Sequence, residues 1–261
     1  MRYRGIALSA LVGSVAWANQ PPGTEAAPRS TQTEGVIEPK ADEALHRMSD
    51  YVGSLKSFRV DATTIDERVT TDGQKVQEIK ESHVSARRPN AMRVDRRGPA
   101  GHVVFRYDGK QYSLDAPDKK VYATAAAPPT IDAAIDDARD RLQIDAPGGD
   151  LMVRDPYAAL TDGLITGRYI GREPIGNQMA DHIAVTKKDV DYQLWIAAGP
   201  EPLPLRYVIT TKDLPGRPQA VVELRNWQPN APITDDSVAF TPAPGARRVA
   251  FARPQQQGRT Q

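Results

Sequence analysis

The chain has 261 residues, 39% of them apolar and 26% charged, with a formal net charge of +1 and no cysteine. That composition excludes a disulfide scaffold, a thiolate metal site and a cysteine nucleophile, so stability has to come from a hydrophobic core of ordinary size. The balanced charge leaves no electrostatic footprint for nucleic acid or for an anionic membrane surface.

Residues 1–18 have three parts: a basic start with Arg2 and Arg4, an apolar run from Ile6 to Val15, and Ala16 and Ala18 around Trp17. This is the pattern of a secretory signal peptide, with cleavage expected after Ala18. The apolar run is shorter than the roughly 20 residues that span a bilayer. A lipoprotein needs a cysteine at its cleavage site, so the mature chain is expected in the periplasm without a lipid anchor or a transmembrane segment. Loss of Arg2 and Arg4 takes the formal charge from +1 to −1. Residues 19–39, with Pro21, Pro22, Pro28 and Pro39 and almost no large apolar side chain, read as a disordered leader, and the Gln-rich residues 253–261 as a disordered tail. No fixed-period repeat or second Pro-rich break lies between them, so one domain is expected over 40–252.

Within it, Ala41, Leu45, Met48, Val52 and Leu55 recur at spacings of three and four, the stripe of an amphipathic helix entered after Pro39. From Ser57 the period changes to two, with Phe58, Val60 and Ala62 alternating with Arg59 and Asp61. Asp72-Gly73 supplies a hairpin turn, and Val76 to Val84 returns. Short strands follow over Met92–Val94, His102–Tyr107, Gln111–Leu114 and Val121–Thr124, punctuated by turn residues, which predicts an antiparallel meander. Pro128-Pro129 ends it. Thr130 then caps a helix with the apolar stripe Ile131, Ala134, Ile135, Ala138 and Leu142, its charges ordered with Asp first and Arg last. Asp155-Pro156 starts a short helix that Gly163 ends. Strand periodicity resumes over Ile165–Ile170, His182–Thr186, Tyr192–Ala197, Leu205–Thr211 and Ala220–Trp227. The total is about ten or eleven strands and three helices. A sheet that wide must curl, and three helices cannot cover both faces, so the expected fold class is mainly β (α+β), an open antiparallel half-barrel with helices covering its concave face.

Catalytic signatures are missing: there is no GxSxG, GxxxxGK, GxGxxG or HExxH. His46, His83, His102 and His182 are scattered without metal-ligand spacing, and Asp189 and Asp191 lack the rest of a calcium loop. Trp195 and Trp227 read as packing in the sheet. No catalytic residue, metal or cofactor is expected.

Four stretches carry a resemblance. Arg88-Pro89-Asn90-Ala91-Met92-Arg93-Val94 resembles the "RP...R" strand start of the outer-membrane lipoprotein carrier LolA superfamily, and Asp108-Gly109-Lys110-Gln111-Tyr112 with Lys120-Val121-Tyr122 resembles its "DG...Y...V" hairpin. Tyr192-Gln193-Leu194-Trp195-Ile196 followed by Leu203-Pro204-Leu205-Arg206-Tyr207 is similar to its "LW...LP.R" hairpin, and Phe240-Thr241-Pro242-Ala243-Pro244-Gly245-Ala246 to its closing "F...PPGA". Within that superfamily the chain looks most like a family of predicted periplasmic proteins of unknown function. The resemblance implies a half-barrel whose apolar concave face, under a helical lid, holds acyl chains.

The expected function is therefore a non-enzymatic periplasmic binder or carrier of a lipid-like or lipoprotein acyl ligand. An envelope-stress sensor or adaptor that binds an envelope protein is the alternative, and a hydrolytic enzyme the second. Candidate ligand-lining residues are Phe58, Val60, Met92, Val94, Val103, Phe105, Tyr107, Tyr112, Leu114, Leu194 and Ile196 on strands, with Ile131, Ile135 and Leu142 on the covering helix.

Overall fold

The computed structural model describes residues 35–251 except 143 and 145. The expected signal peptide, the expected leader up to residue 34 and the expected tail from residue 253 lie outside the described residues.

In chain order the elements are β1 (Val36–Ile37), α1 (Pro39–Ser54), β2 (Ser57–Val69), β3 (Lys75–Arg87), β4 (Ala91–Gly98), β5 (Gly101–Tyr107), β6 (Gln111–Ala116), β7 (Val121–Ala126), α2 (Ile131–Asp140), α3 (Pro156–Thr161), β8 (Leu164–Ile175), β9 (Gln178–Lys187), β10 (Val190–Ala197), β11 (Pro204–Thr211), β12 (Gln219–Pro229), α4 (Asp235–Val238) and β13 (Arg247–Arg248). All strands form one open sheet in the order β1-β8-β9-β10-β11-β12-β2-β3-β4-β5-β6-β7-β13. The eleven strands of six residues or more pair antiparallel throughout, and the two short strands at the ends pair parallel. This is the expected half-barrel. Its two meanders, β2–β7 and β8–β12, join side by side where β12 pairs with β2.

The period-two alternation sets which side chains point inward. On β2, Phe58, Val60 and Ala62 are buried, whereas Asp61 faces the opposite side and pairs with the exposed His83 of β3. Gly73, with φ +88°, makes the β2–β3 turn where a side chain would be strained.

α1 packs its stripe into the inward face: Ala41, Leu45, Met48 and Val52 are all fully buried, each of the larger three contributing roughly 1.5–3 kcal/mol by burial. Its charged face is tied down as well. Arg47 reaches the buried Asp181 of β9 at 2.9 Å, and the same carboxylate takes bonds from Tyr169 and Arg172. Burial alone raises the Asp181 pKa, but those donors outweigh it and hold the carboxyl below its ordinary value.

Three boundaries differ from the sequence expectation. Val36 and Ile37, read as the end of the leader, pair with Thr166 and Gly167 of β8, because two apolar residues suffice to extend an edge that offers free backbone groups. α2 stops at Asp140, so Leu142 lies just beyond the helix, half-buried against the core. Finally, the segment after β12 is a strap across the outward face. Ser57 Oγ and Arg59 bond to Ala231 O and Pro232 O, Arg87 pairs with Asp235, and Phe240 packs on Tyr122 and under Arg106. β13 then pairs with β7.

Candidate functional site

α2 and the turn that follows it roof a hollow over the inward face of β2–β6 and β12. Its volume is about 200 Å³. Register builds the floor as two rows of cross-strand neighbours: Val84, Val94, Phe105 and Leu114 in one, and Leu224, Ala62, Ser82, Arg96 and Val103 in the next. The roof is Ile131, Ala134, Ile135 and Ala138 of α2 with Ile144, Ala146, Pro147, Gly148 and Gly149. Small side chains explain why space remains: on the roof Ala134 and Ala138 take positions where Leu and Met would fill it, and on the floor Ala62 and Ser82 do the same. Gly149 permits the close approach, since a Cβ there would lie 3.3 Å from Ile135 Cγ2. Gly148 adopts φ +84°, which a larger residue resists.

The roof is fastened at identifiable points. Thr130 Oγ1 accepts from Ala133 N as the cap of α2, and Ile131 N donates to Pro89 O at 2.8 Å. Below, Tyr107 OH donates to Pro128 O at 2.7 Å, and Tyr112 OH donates to Ala134 O at 2.8 Å and to the Asp137 carboxylate. Burial pushes the Tyr107 phenol up to about 12, and burial with the Asp137 contact raises that of Tyr112 further. Both stay protonated donors. Arg88 donates to Val52 O of α1 and Val153 O ahead of α3, and burial lowers its pKa. Asp150, 4% exposed, faces Arg139 of α2 at 3.5 Å. Burial raises its carboxyl to about 6 despite the nearby Arg139 and Lys187.

The model of the family described as "Predicted periplasmic protein (DUF2092)" matches residues 41–252. The chain belongs to this family. Its place is the periplasm, and among the described residues of this DUF2092 protein no helix is long and apolar enough to cross a membrane. Among solved structures it is similar to an uncharacterized conserved protein from Thermus thermophilus, at 15% identity over 81% of this chain and 99% of that one, with a TM-score of 0.48. Mycobacterium tuberculosis lipoprotein LppX is similar at 16% identity over 76% and 100%, TM-score 0.49. A LolA superfamily protein from Nitrosomonas europaea gives 12% over 77% and 97%, TM-score 0.37. No curated protein matches the chain.

Of the residues singled out in the sequence, Met92, Val94, Val103, Phe105, Tyr107, Leu114, Ile131 and Ile135 line the hollow of the DUF2092 domain. Phe58, Val60, Leu194 and Ile196 are buried at 0–1% exposure in the same core cluster as the α1 stripe and do not line the hollow. Tyr112 acts through its bonds to α2, and Leu142 packs at the rim of the core. Sequence reasoning missed the polar lining residues Thr64, Asp66, Lys80, Ser82 and Arg96. Their signal was available: each continues the inward parity of Val60, Val84 or Val94 beyond the last apolar residue. The Pro147-Gly148-Gly149 turn was also legible as a turn, though not as a roof.

Trp195 stacks on His182 at 3.9 Å and donates to Glu173, while Trp227 donates to Pro204 O and lies 5.5 Å from Phe58. Each histidine has a near neighbour: His46 the Tyr157 ring, His83 Asp61, His102 Asp95 and His182 Glu173. Among the described residues no group of three or more His, Asp or Glu is placed to hold a metal.

Proposed function

We propose that this protein binds and carries a lipid-like ligand, its acyl chain entering between α2 and the sheet. The observation that carries this reading is the apolar hollow itself, walled by Val94, Val103, Phe105, Leu114, Ile131 and Ile135 and roofed by a helix held through a few polar fasteners. At about 200 Å³ it falls below the ~300–1,000 Å³ of typical small-molecule pockets. This closed form takes part of a chain, and a full-length chain requires α2 and the 146–149 turn to lift. Each methylene that enters contributes ~0.8 kcal/mol before ordering costs.

Pairing of a partner strand with a free sheet edge, the basis of the adaptor alternative, has less support, since β1 and β13 occupy part of both outer edges.

Native mass spectrometry of protein released from the periplasm, with uptake of a fluorescent long-chain fatty acid, tests the carrier reading. Wild type retains a lipid mass and takes up the probe, and Ala138→Phe, which fills the hollow from the roof, loses both. A wild-type protein free of lipid and inert to the probe overturns the reading.

A further inference from the structure

The hollow is not uniformly apolar. Along β2 the inward residues run Phe58, Val60, Ala62, Thr64, Asp66, and their burial falls from complete at Phe58 to partial at Thr64 and Asp66. The end nearer Asp66 is therefore the open one. At that end Lys80 of β3 forms an ion pair with Asp66. Arg96 of β4 is the remaining charged group on the lining, cross-strand from Ser82 and half-buried. Among the described residues its side chain has no ion-pair or hydrogen-bond partner. Two cations face one carboxylate at the mouth, and the cation left over stands opposite the hydroxyl-bearing Ser82, while Thr64 stands opposite Lys80.

The Arg96 guanidinium keeps contact with solvent, so an anionic ligand can pair with it without first displacing a protein counter-ion. Elsewhere on the same strand the pattern differs, for outward Arg93 pairs with Asp95 at 3.0 Å. A guanidinium also presents parallel N–H donors that match the two oxygens of a carboxylate or phosphate.

We infer that the open end of the hollow is a seat for an anionic headgroup, so that the cargo is an acidic amphiphile with its oxyanion on Arg96, assisted by Lys80 and Ser82, and its chain under α2. This rests on the carrier reading and adds the class of ligand to it. The shared chemistry is an oxyanion on an acyl or alkyl tail, and it has two sources, a fatty-acid carboxylate and a phosphate-headed lipid.

Titration calorimetry with dodecanoate, dodecyl phosphate and dodecanol separates them. Wild type binds one or both anions at least about tenfold more tightly than the alcohol, an advantage that shrinks as salt rises. Whichever anion shows it names the source. In Arg96→Met the advantage disappears while dodecanol affinity stays unchanged, which also certifies the fold of the variant. Equal affinity of acid and alcohol for wild type, or an anion preference that survives in Arg96→Met, overturns the inference and leaves the carrier reading standing. Failure of all three amphiphiles to bind removes the carrier reading and the headgroup seat together.

Discussion

The inward face of the sheet is covered by two helices in two different ways. α1 presents Leu45, Met48 and Val52, and these merge with Phe58, Ile183, Leu194 and Ile196 into a filled core. α2 adds Ile131, Ala134 and Ala138 to the same cluster, with Ile135 packed against it, yet leaves a hollow beneath. Both helices have apolar stripes at the same spacing, so periodicity does not distinguish them. Side-chain volume does: alternating Ile with Ala removes the atoms that would complete the packing, and the lining forgoes those dispersion contacts. One half of the half-barrel is thus built for stability, and the other surrenders some stability to keep space.

The sharpest way to break this contrast is a matched pair of truncations. Leu45→Ala opens a void in the filled half and is expected to cost about 3–4 kcal/mol in denaturant unfolding. Ile135→Ala borders existing space and is expected to cost less than about 1.5 kcal/mol. Equal losses would mean that the two halves are packed alike.

Insertion gives the converse. Ala44→Phe, on the buried face of α1, is expected to destabilise by about 2–3 kcal/mol through overpacking, whereas Ala138→Phe is expected to change stability by less than about 1 kcal/mol. Thermal melts of the two variants decide it.

The smallest effect concerns Asp150, which reaches from the segment ahead of α3 to Arg139 of α2 and is influenced by Lys187 of β9. Its native pKa of about 6 lies above the ~3.9 of an unfolded chain. Between those values the native state keeps a proton that the unfolded state has released, so this group makes stability fall as pH rises through that window. Asp150→Asn removes the slope. Measured against wild type, its relative stability should rise by on the order of 1 kcal/mol between about pH 4.5 and 7.5. A difference that is flat or opposite in sign shows that the carboxylate is ionised and well paired throughout.

Much of the architecture was legible in the sequence because alternation, turn residues and helix caps are local signals. Thr130 and Asp155 cap the helices they were expected to cap, and Asp72-Gly73 turns the hairpin it was expected to turn. The site was legible only in part. Phe58 and Leu194 have the same strand parity as Val94 and Phe105, yet which helix covers each strand depends on the order of strands across the sheet, where β12 meets β2 and not its neighbour in sequence. The polar mouth escaped because apolar periodicity stops where Thr64, Lys80 and Arg96 begin, although the inward parity continues. The strap after β12 escaped for another reason: it holds on mainly through backbone carbonyls and single side chains such as Phe240, which leave no periodic trace.

That strap has a mechanical consequence. By running behind the sheet from Ser57 and Arg87 to Tyr122, it splints the strands beneath the hollow against unbending. In the proposed carrier, room for a longer chain would therefore have to come from α2 shifting over a stationary β-layer that serves as its anvil.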